Sequence, residues 1–291
     1  MTFQERLQLG RFMITSEITP PKGTDVSEVM RDTEGLKGRV DALNITDGKS
    51  SVMTMTALAL GHLLKENGFE PILNVSCRDR NRLALQADLL GAAALGIRNL
   101  VVLTGDYASM GDHPQTKPVF DLDSVQLLKV IQKLGSGQDM AGNPLRDEPH
   151  FFVGATVSPI PGTEAAFELQ LVKMEKKMAA GAKFFQTQPV FDLRSFDRFM
   201  KRVAGFGVPV LASVLPLKSA SMARFINKNM PGIFVPEPLI EEMGSAPDRV
   251  NASIAICARL IHELKSLCQG IHFIPVGWER KVPAILEAAK L

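Results

Sequence analysis

Eight short runs of apolar and β-branched residues recur along the chain, and nearly all are followed by a longer stretch whose apolar positions fall three and four apart. The runs are Phe12–Glu17, Ala42–Thr46, Pro71–Ser76, Asn99–Thr104, Phe151–Thr156, Lys183–Gln188, Val208–Leu215 and Ile271–Val276. Runs of this length read as strands, and the periodic stretches between them as amphipathic helices. The predicted helices are Val52–Lys65, Arg80–Leu95, Val125–Leu134, Glu164–Ala180, Leu193–Ala204 and Val250–Leu267. Several end on a glycine suited to a helix C-terminus, as in Asn67-Gly68, Leu95-Gly96 and Ala180-Gly181. Strand then helix, eight times, predicts an α/β protein of the closed (β/α)8 barrel class, one domain over residues 1–291. The rival open doubly wound sheet is weakened because no strand runs into a G-x-G-x-x-G turn.

Two connections are long. Gly105 to Ser124, after the fourth strand, falls where a barrel carries a binding loop, whereas Gly135 to Pro149 precedes the fifth strand and reads as a polar turn on the opposite face. An extra segment between the seventh and eighth strands, Lys218 to Asp248, is punctuated by prolines and predicts two short helices.

Composition narrows the function classes. With 45% hydrophobic and 22% charged residues the chain is that of a globular protein, and a net charge of +2 offers no broad footprint for nucleic acid or an anionic membrane. Three scattered cysteines, Cys77, Cys257 and Cys268, with no C-x-x-C pair, argue against a disulfide framework or a zinc site, so no metal is expected. No export signal or long apolar span is read, and a reduced cytoplasmic setting is expected.

Candidate chemistry gathers at the strand C-terminal ends, which in a barrel share one rim. The first run ends at Glu17, and Pro20-Pro21 then forces strand into loop. Around the rim follow Thr46-Asp47-Gly48, Asn74 and Ser76, Thr104-Gly105-Asp106, Ser158-Pro159, Gln186 and Gln188, and Leu215-Pro216-Leu217. Carboxylates, hydroxyls and amides of this kind orient a polar heterocycle. No nucleophilic Ser or Cys stands beside an obvious base, which disfavours covalent hydrolysis. Glu17 and Asp106 could divide into an acid and an ion. That division would also fit a glycosidase, but one Trp and one Tyr supply few sugar platforms.

Five segments taken together carry a resemblance: Ser16-Glu17-Ile-Thr-Pro-Pro21, Asn44-Ile-Thr46-Asp47, Leu103-Thr-Gly-Asp106, Gly181-Ala-Lys-Phe-Phe-Gln-Thr-Gln188-Pro-Val-Phe-Asp192 and Leu215-Pro216. In this order, over Phe12 to Trp278, the chain resembles the methylenetetrahydrofolate reductase family. Gly111-Asp-His-Pro114 and Val119-Phe-Asp-Leu-Asp-Ser124 resemble its short, catalytic-domain-only bacterial and archaeal branch. The resemblance implies a flavin-containing barrel that reduces 5,10-methylenetetrahydrofolate to 5-methyltetrahydrofolate. Glu17 matches the general acid, which opens the methylene bridge before hydride arrives from the reduced flavin. An acid working at neutral pH implies a carboxyl whose proton is held by burial in an apolar setting against the flavin and bound pterin.

By the same resemblance Asp106 stands beside the flavin pyrimidine edge, and Gln188, with Gln186 and Leu215, contacts the folate. Thr46, Asp47, Asn74, Ser76, Thr104, Gly105 and Asp106 hold the flavin, while Phe120, Asp121 and Ser124 cover an adenosine portion. Lys173, Lys176 and Lys177 share a helix face toward the phosphates; a solvated helix face is the alternative. The cofactor implied is FAD, with FMN as the alternative. The partners implied are methylenetetrahydrofolate and NAD(P)H or another electron donor, and a homo-oligomer or a partner subunit.

The sequence departs from the family pattern at four places. Asn74 stands where many members have His, and Ala220 where an aromatic is usual. The fifth-strand exit Thr156 to Gly162 lacks the usual Tyr and His, and the eighth strand leads into Val276-Gly-Trp278-Glu-Arg280. These leave a donor other than NAD(P)H open, and Trp278 becomes a candidate aromatic for stacking. A flavin-free pterin-binding methyltransferase barrel and a partner-dependent subunit remain as alternative readings.

Overall fold

Each of the eight apolar runs forms a strand in the computed structural model, which describes residues 1–160 and 162–291, so that Pro161 of the fifth-strand exit lies outside the described residues. The strands are β1 Met13–Ile18, β2 Ala42–Ile45, β3 Pro71–Ser76, β4 Asn99–Leu103, β5 Phe152–Val157, β6 Phe184–Pro189, β7 Val210–Val214 and β8 Gly270–Phe273. Each pairs in parallel with the next, and β8 closes on β1. The helices are α1 Phe3–Gln8, α2 Ser27–Glu34, α3 Ala57–Glu66, α4 Arg82–Ala94, α5 Ser124–Gly135, α6 Glu164–Ala179, α7 Leu193–Val203, α8 Ala220–Asn229, α9 Glu237–Ser245, α10 Arg249–Leu267 and α11 Val282–Ala288. The fold is a (β/α)8 barrel. No helix among the described residues is long and apolar enough to cross a membrane.

Three helices were not legible as periodic runs: α1, α2 and α11 are short, of 6, 8 and 7 residues. Two predicted starts also move inward. The third helix begins at Ala57, not Val52, because Ser50 and Ser51 take left-handed backbone angles and Thr56 caps the helix through Ala59 N–H. The fourth begins at Arg82 because the Asn81 side chain accepts from the N–H groups of Leu83 and Ala84 at 3.1 Å.

The strand period of two divides the barrel into an outer and an inner face. Leu43, Ile45, Leu73, Val75, Leu100, Val102 and Ala155 point outward into the layer shared with the helices. Inside, the N-terminal end is apolar: Met13, Ala42, Ile72, Val101, Phe152, Phe184 and Leu211 pack with Phe3 and Leu7, so α1 plugs the bottom of the barrel. Phe152 and Phe184 stack at 5.3 Å, and Phe3 meets Phe184 edge-on at 5.4 Å. Gly154 makes room for this, since a Cβ there would lie 2.4 Å from the Phe184 ring.

One layer higher the interior turns polar. Asn44 and Gln186 exchange amide hydrogen bonds of 3.1 and 3.0 Å, and Asn44 also donates to Asn74 Oδ1 at 3.1 Å. The buried Asn44–Gln186 pair is tolerable because the two amides satisfy each other. It separates the aromatic floor from the open end of the barrel. The extra segment Lys218 to Asp248 does form two helices, α8 and α9, which bury Ile226, Val235, Ile240 and Met243 against Leu215, Leu217 and α10.

Candidate functional site

Glu17 follows Met13 and Thr15 on the inner face of β1 and reaches the mouth of the barrel with a side chain only 12% exposed. It faces Asn44 in register on β2. Below it, the Thr15 hydroxyl lies 3.0 Å from His272 Nδ1, and burial, aided by the Lys49 charge, pushes the His272 imidazole down to about 3. The ring is therefore neutral at any working pH. The Lys49 ammonium donates to Glu17 Oε1.

Lys49 comes from an unusual turn. Gly48, Ser50 and Ser51 all have left-handed φ, of 57°, 54° and 60°. Arg78, 4% exposed, holds the turn by donating to Gly48 O and Ser51 Oγ, each at 3.1 Å, while Ser51 Oγ donates to Tyr107 O at 2.9 Å. Just before it, Asp47 accepts from the Ser76 N–H at 2.8 Å and from Arg80. Burial pushes the Asp47 carboxyl up despite the pull of Arg80. Thr46 is 2% exposed and its hydroxyl has no partner among the described residues.

Gly105 crosses the rim after β4 at φ +101°, where a Cβ would lie 2.6 Å from Ser76 Oγ and 2.9 Å from Arg78 Cβ. Only glycine lets the backbone lie that low. Asp106 is exposed on that rim, and Thr104 donates to Ser124 Oγ at 3.2 Å. The long connection that follows folds over its neighbours. Asp112 accepts from Lys22, after β1, and from Met53 N–H, after β2, and these bonds with His113 hold its carboxyl far below the usual range. Beside the mouth a cleft of about 450 Å³ runs between the β2, β3 and β4 loops, walled by Asp47, Arg78, Arg80, Ala108, His113 and Thr116.

Several residues named from the sequence are spent elsewhere. Gln186 is 3% exposed and committed to Asn44, Leu215 is packed with α8 and α9, and Asp121 is tied to Arg82 by three hydrogen bonds. Each of these three side chains finds an intramolecular partner in the folded chain. Gln188, by contrast, is exposed on the rim. The predicted lysine face also divides. Lys177 turns inward and donates to Thr156 O at 2.7 Å, Lys173 lies close enough for its charge to act on Lys177, and Lys176 is exposed. Trp278 carries the Lys218 ammonium 5.4 Å from its ring centre.

Burial, with Lys173 adding to it, pulls the Lys177 ammonium down to about 8 from an ordinary 10.5. Between those values the unfolded chain holds the proton that the folded chain has lost, so stability should climb as pH rises through that window and the penalty is fully present below it. Urea midpoints of the ligand-free protein at pH 7.5 and 9.5 should therefore differ more in wild type than in Lys177→Met; equal differences would remove Lys177 as the cause.

Sequence reasoning missed Lys49, Arg78, Arg80 and His272. The signal for the arginines was present in Arg78-Asp-Arg80-Asn-Arg82, which sets arginine at alternate positions immediately beyond a strand end. Lys49 gave none, since its position depends on a turn that no periodicity reveals.

The model of the family described as methylenetetrahydrofolate reductase matches residues 2–290. The chain belongs to that family. Methylenetetrahydrofolate reductase 2 of Schizosaccharomyces pombe is 21% identical over 311 residues, covering 99% of this chain and 47% of that protein. The 5,10-methylenetetrahydrofolate reductase of Pectobacterium carotovorum subsp. carotovorum is 24% identical over 218 residues, covering 72% and 66%. The chain thus spans about half to two thirds of the length of these members of the methylenetetrahydrofolate reductase family. Among solved structures, an uncharacterized protein from Clostridium thermocellum that binds two copies of 5-methyl-5,6,7,8-tetrahydrofolic acid shares the fold, with TM-score 0.64 and 16% identity over 99% of this chain and 97% of that one. A 2,3-dimethylmalate lyase shares it with TM-score 0.53 and 10% identity over 99% and 83%.

Proposed function

We propose that this member of the methylenetetrahydrofolate reductase family reduces 5,10-methylenetetrahydrofolate to 5-methyltetrahydrofolate, with Glu17 as the acid. The observation that carries the reading is an inward-facing carboxyl at the mouth of a barrel whose sequence matches the family over residues 2–290. Glu17 gives its proton to the nitrogen that leaves the methylene carbon. That C–N bond breaks, and the carbon is left as an iminium on the other nitrogen. A hydride then completes the methyl group. Gln188, free on the rim, orients the pterin by its amide, and Asp106 provides negative charge opposite the developing cation.

The residues present fit a flavin. The Thr46 hydroxyl is buried and has no partner among the described residues, and Gly105 lets the rim backbone lie close against Ser76 and Arg78. Thr46, Asn74, Ser76, Thr104 and Gly105 would hold the ring system, Phe120 would cover the far end, and Lys173 with Lys177 would meet phosphate. A phosphate beside Lys177 would repay the cost of burying that amine. When bound, the flavin supplies the hydride. Two lysines at this position suit a diphosphate, hence FAD over FMN, and NAD(P)H or a partner protein would recharge it.

Protein purified without added cofactor is expected to carry a flavin absorption band. Reduced anaerobically and mixed with methylenetetrahydrofolate, it should reoxidise and yield one 5-methyltetrahydrofolate per flavin. A colourless protein that binds pterin and transfers its methyl group would overturn the reading.

A further inference from the structure

The strained turn that follows β2 contains Lys49, and the Lys49 ammonium donates to the candidate acid. Left-handed backbone is costly for a residue other than glycine, so Ser50 and Ser51 keep it only because other groups over-determine the turn. Those groups are Arg78, through Gly48 O and Ser51 Oγ, and the β4 loop, through Tyr107 O and the close packing of Gly111 on Ser51. None of them touches Glu17. The backbone, and not a chance excursion of a surface side chain, delivers the ammonium to the carboxylate.

The other groups around Glu17 leave Lys49 without a rival. From β2 comes Asn44, whose amide is committed to Asn74 and Gln186; from β8 comes His272, neutral and turned to Thr15. The Asp112 carboxylate is held by Lys22, and Asp47 by Arg80. Among the described residues Lys49 is the one cation bonded to Glu17, and the Lys49 side chain is 32% exposed, with solvent open to it.

We propose that Lys49 is a positioning residue that holds Glu17 as an oriented carboxylate until a ligand enters the mouth and then swings away, so that the acid is armed only with the ligand in place. The proposal rests on Glu17 acting as the acid. It accounts for how an inward carboxyl avoids being left unpartnered before the ligand arrives. It also makes the proton donor conditional. With Lys49 in contact the carboxylate is stabilised, and with Lys49 displaced and the mouth covered by a flat ligand the protonated form gains.

The test reads the carboxyl directly. In ligand-free protein labelled with [δ-¹³C]glutamate, the Glu17 resonance is identified by its loss in Glu17→Gln and titrated. In Lys49→Met its midpoint should lie above that of wild type, as losing an opposite charge at contact requires, while Lys49→Arg stays with wild type. In the reduced holoprotein, the second-order constant for reoxidation by methylenetetrahydrofolate reports the free enzyme, so its alkaline limb should move to higher pH in Lys49→Met and return in Lys49→Arg. An unmoved midpoint overturns the proposal, and so does a moved midpoint with an unmoved limb. If wild type does not reoxidise with methylenetetrahydrofolate at all, the functional reading fails and takes the arming step with it, whereas the carboxyl titration still decides whether Lys49 holds Glu17 ionised.

Discussion

In Glu17→Gln, reoxidation of the reduced flavin by methylenetetrahydrofolate is expected to fall by about 10²–10⁴-fold, the range a positioned general acid supplies, while reduction of the flavin by its donor is retained. Glutamine keeps the size of the side chain and can still accept from Lys49, so the mouth keeps its shape and loses only its proton. The layers beneath Glu17 do not depend on it: Thr15 pairs with His272, and Asn44 with Gln186. Circular dichroism and flavin content should therefore match wild type. The decisive measurement is the pair of half-reactions followed separately by stopped flow. Equal losses in both would assign Glu17 to cofactor binding instead of proton transfer, and no loss in either would remove it from the chemistry.

What the sequence made legible, and what it did not, follows from the range of the interactions involved. The eight strands were legible because each run is short, apolar and bounded by turn residues, and the alternation of inner and outer faces is a local property of a strand. Glu17 was legible because Pro20-Pro21 ends its strand within a few residues. The fate of Gln186 was not. It reads as a rim amide like Gln188, but the barrel brings Asn44 to it from 142 positions away, and the amide pair closes on itself. The Arg82 partner of Asp121 was not legible for the same reason, since it lies 39 positions away. Lys49 was invisible because its direction is set by three left-handed residues clamped by Arg78. The helices α1, α2 and α11 are too short for a period to register, and α1 does its work by end-plugging, with Phe3 and Leu7.

That plug makes the bottom of the barrel the place where a single substitution should unfold the molecule most readily. Phe184 is fully buried between the Phe152 ring, stacked at 5.3 Å, and the Phe3 ring at 5.4 Å. Phe184→Ala should cost about 3–5 kcal/mol, because the deleted ring leaves a cavity ringed by strands that cannot collapse into it. Gly154→Ala should also destabilise, by about 1–3 kcal/mol, since its new methyl would meet the Phe184 ring inside ordinary contact distance. The two costs share one cause, the volume between β5 and β6, where Gly154 and Phe184 are register partners. Combining Gly154→Ala with Phe184→Leu should therefore cost less than the sum of the singles by about 0.5–3 kcal/mol. Urea denaturation of the four proteins measures this directly. Strict additivity would mean that Gly154 is small for some other reason than the ring, and that the floor beneath the amide layer is held by something besides aromatic packing.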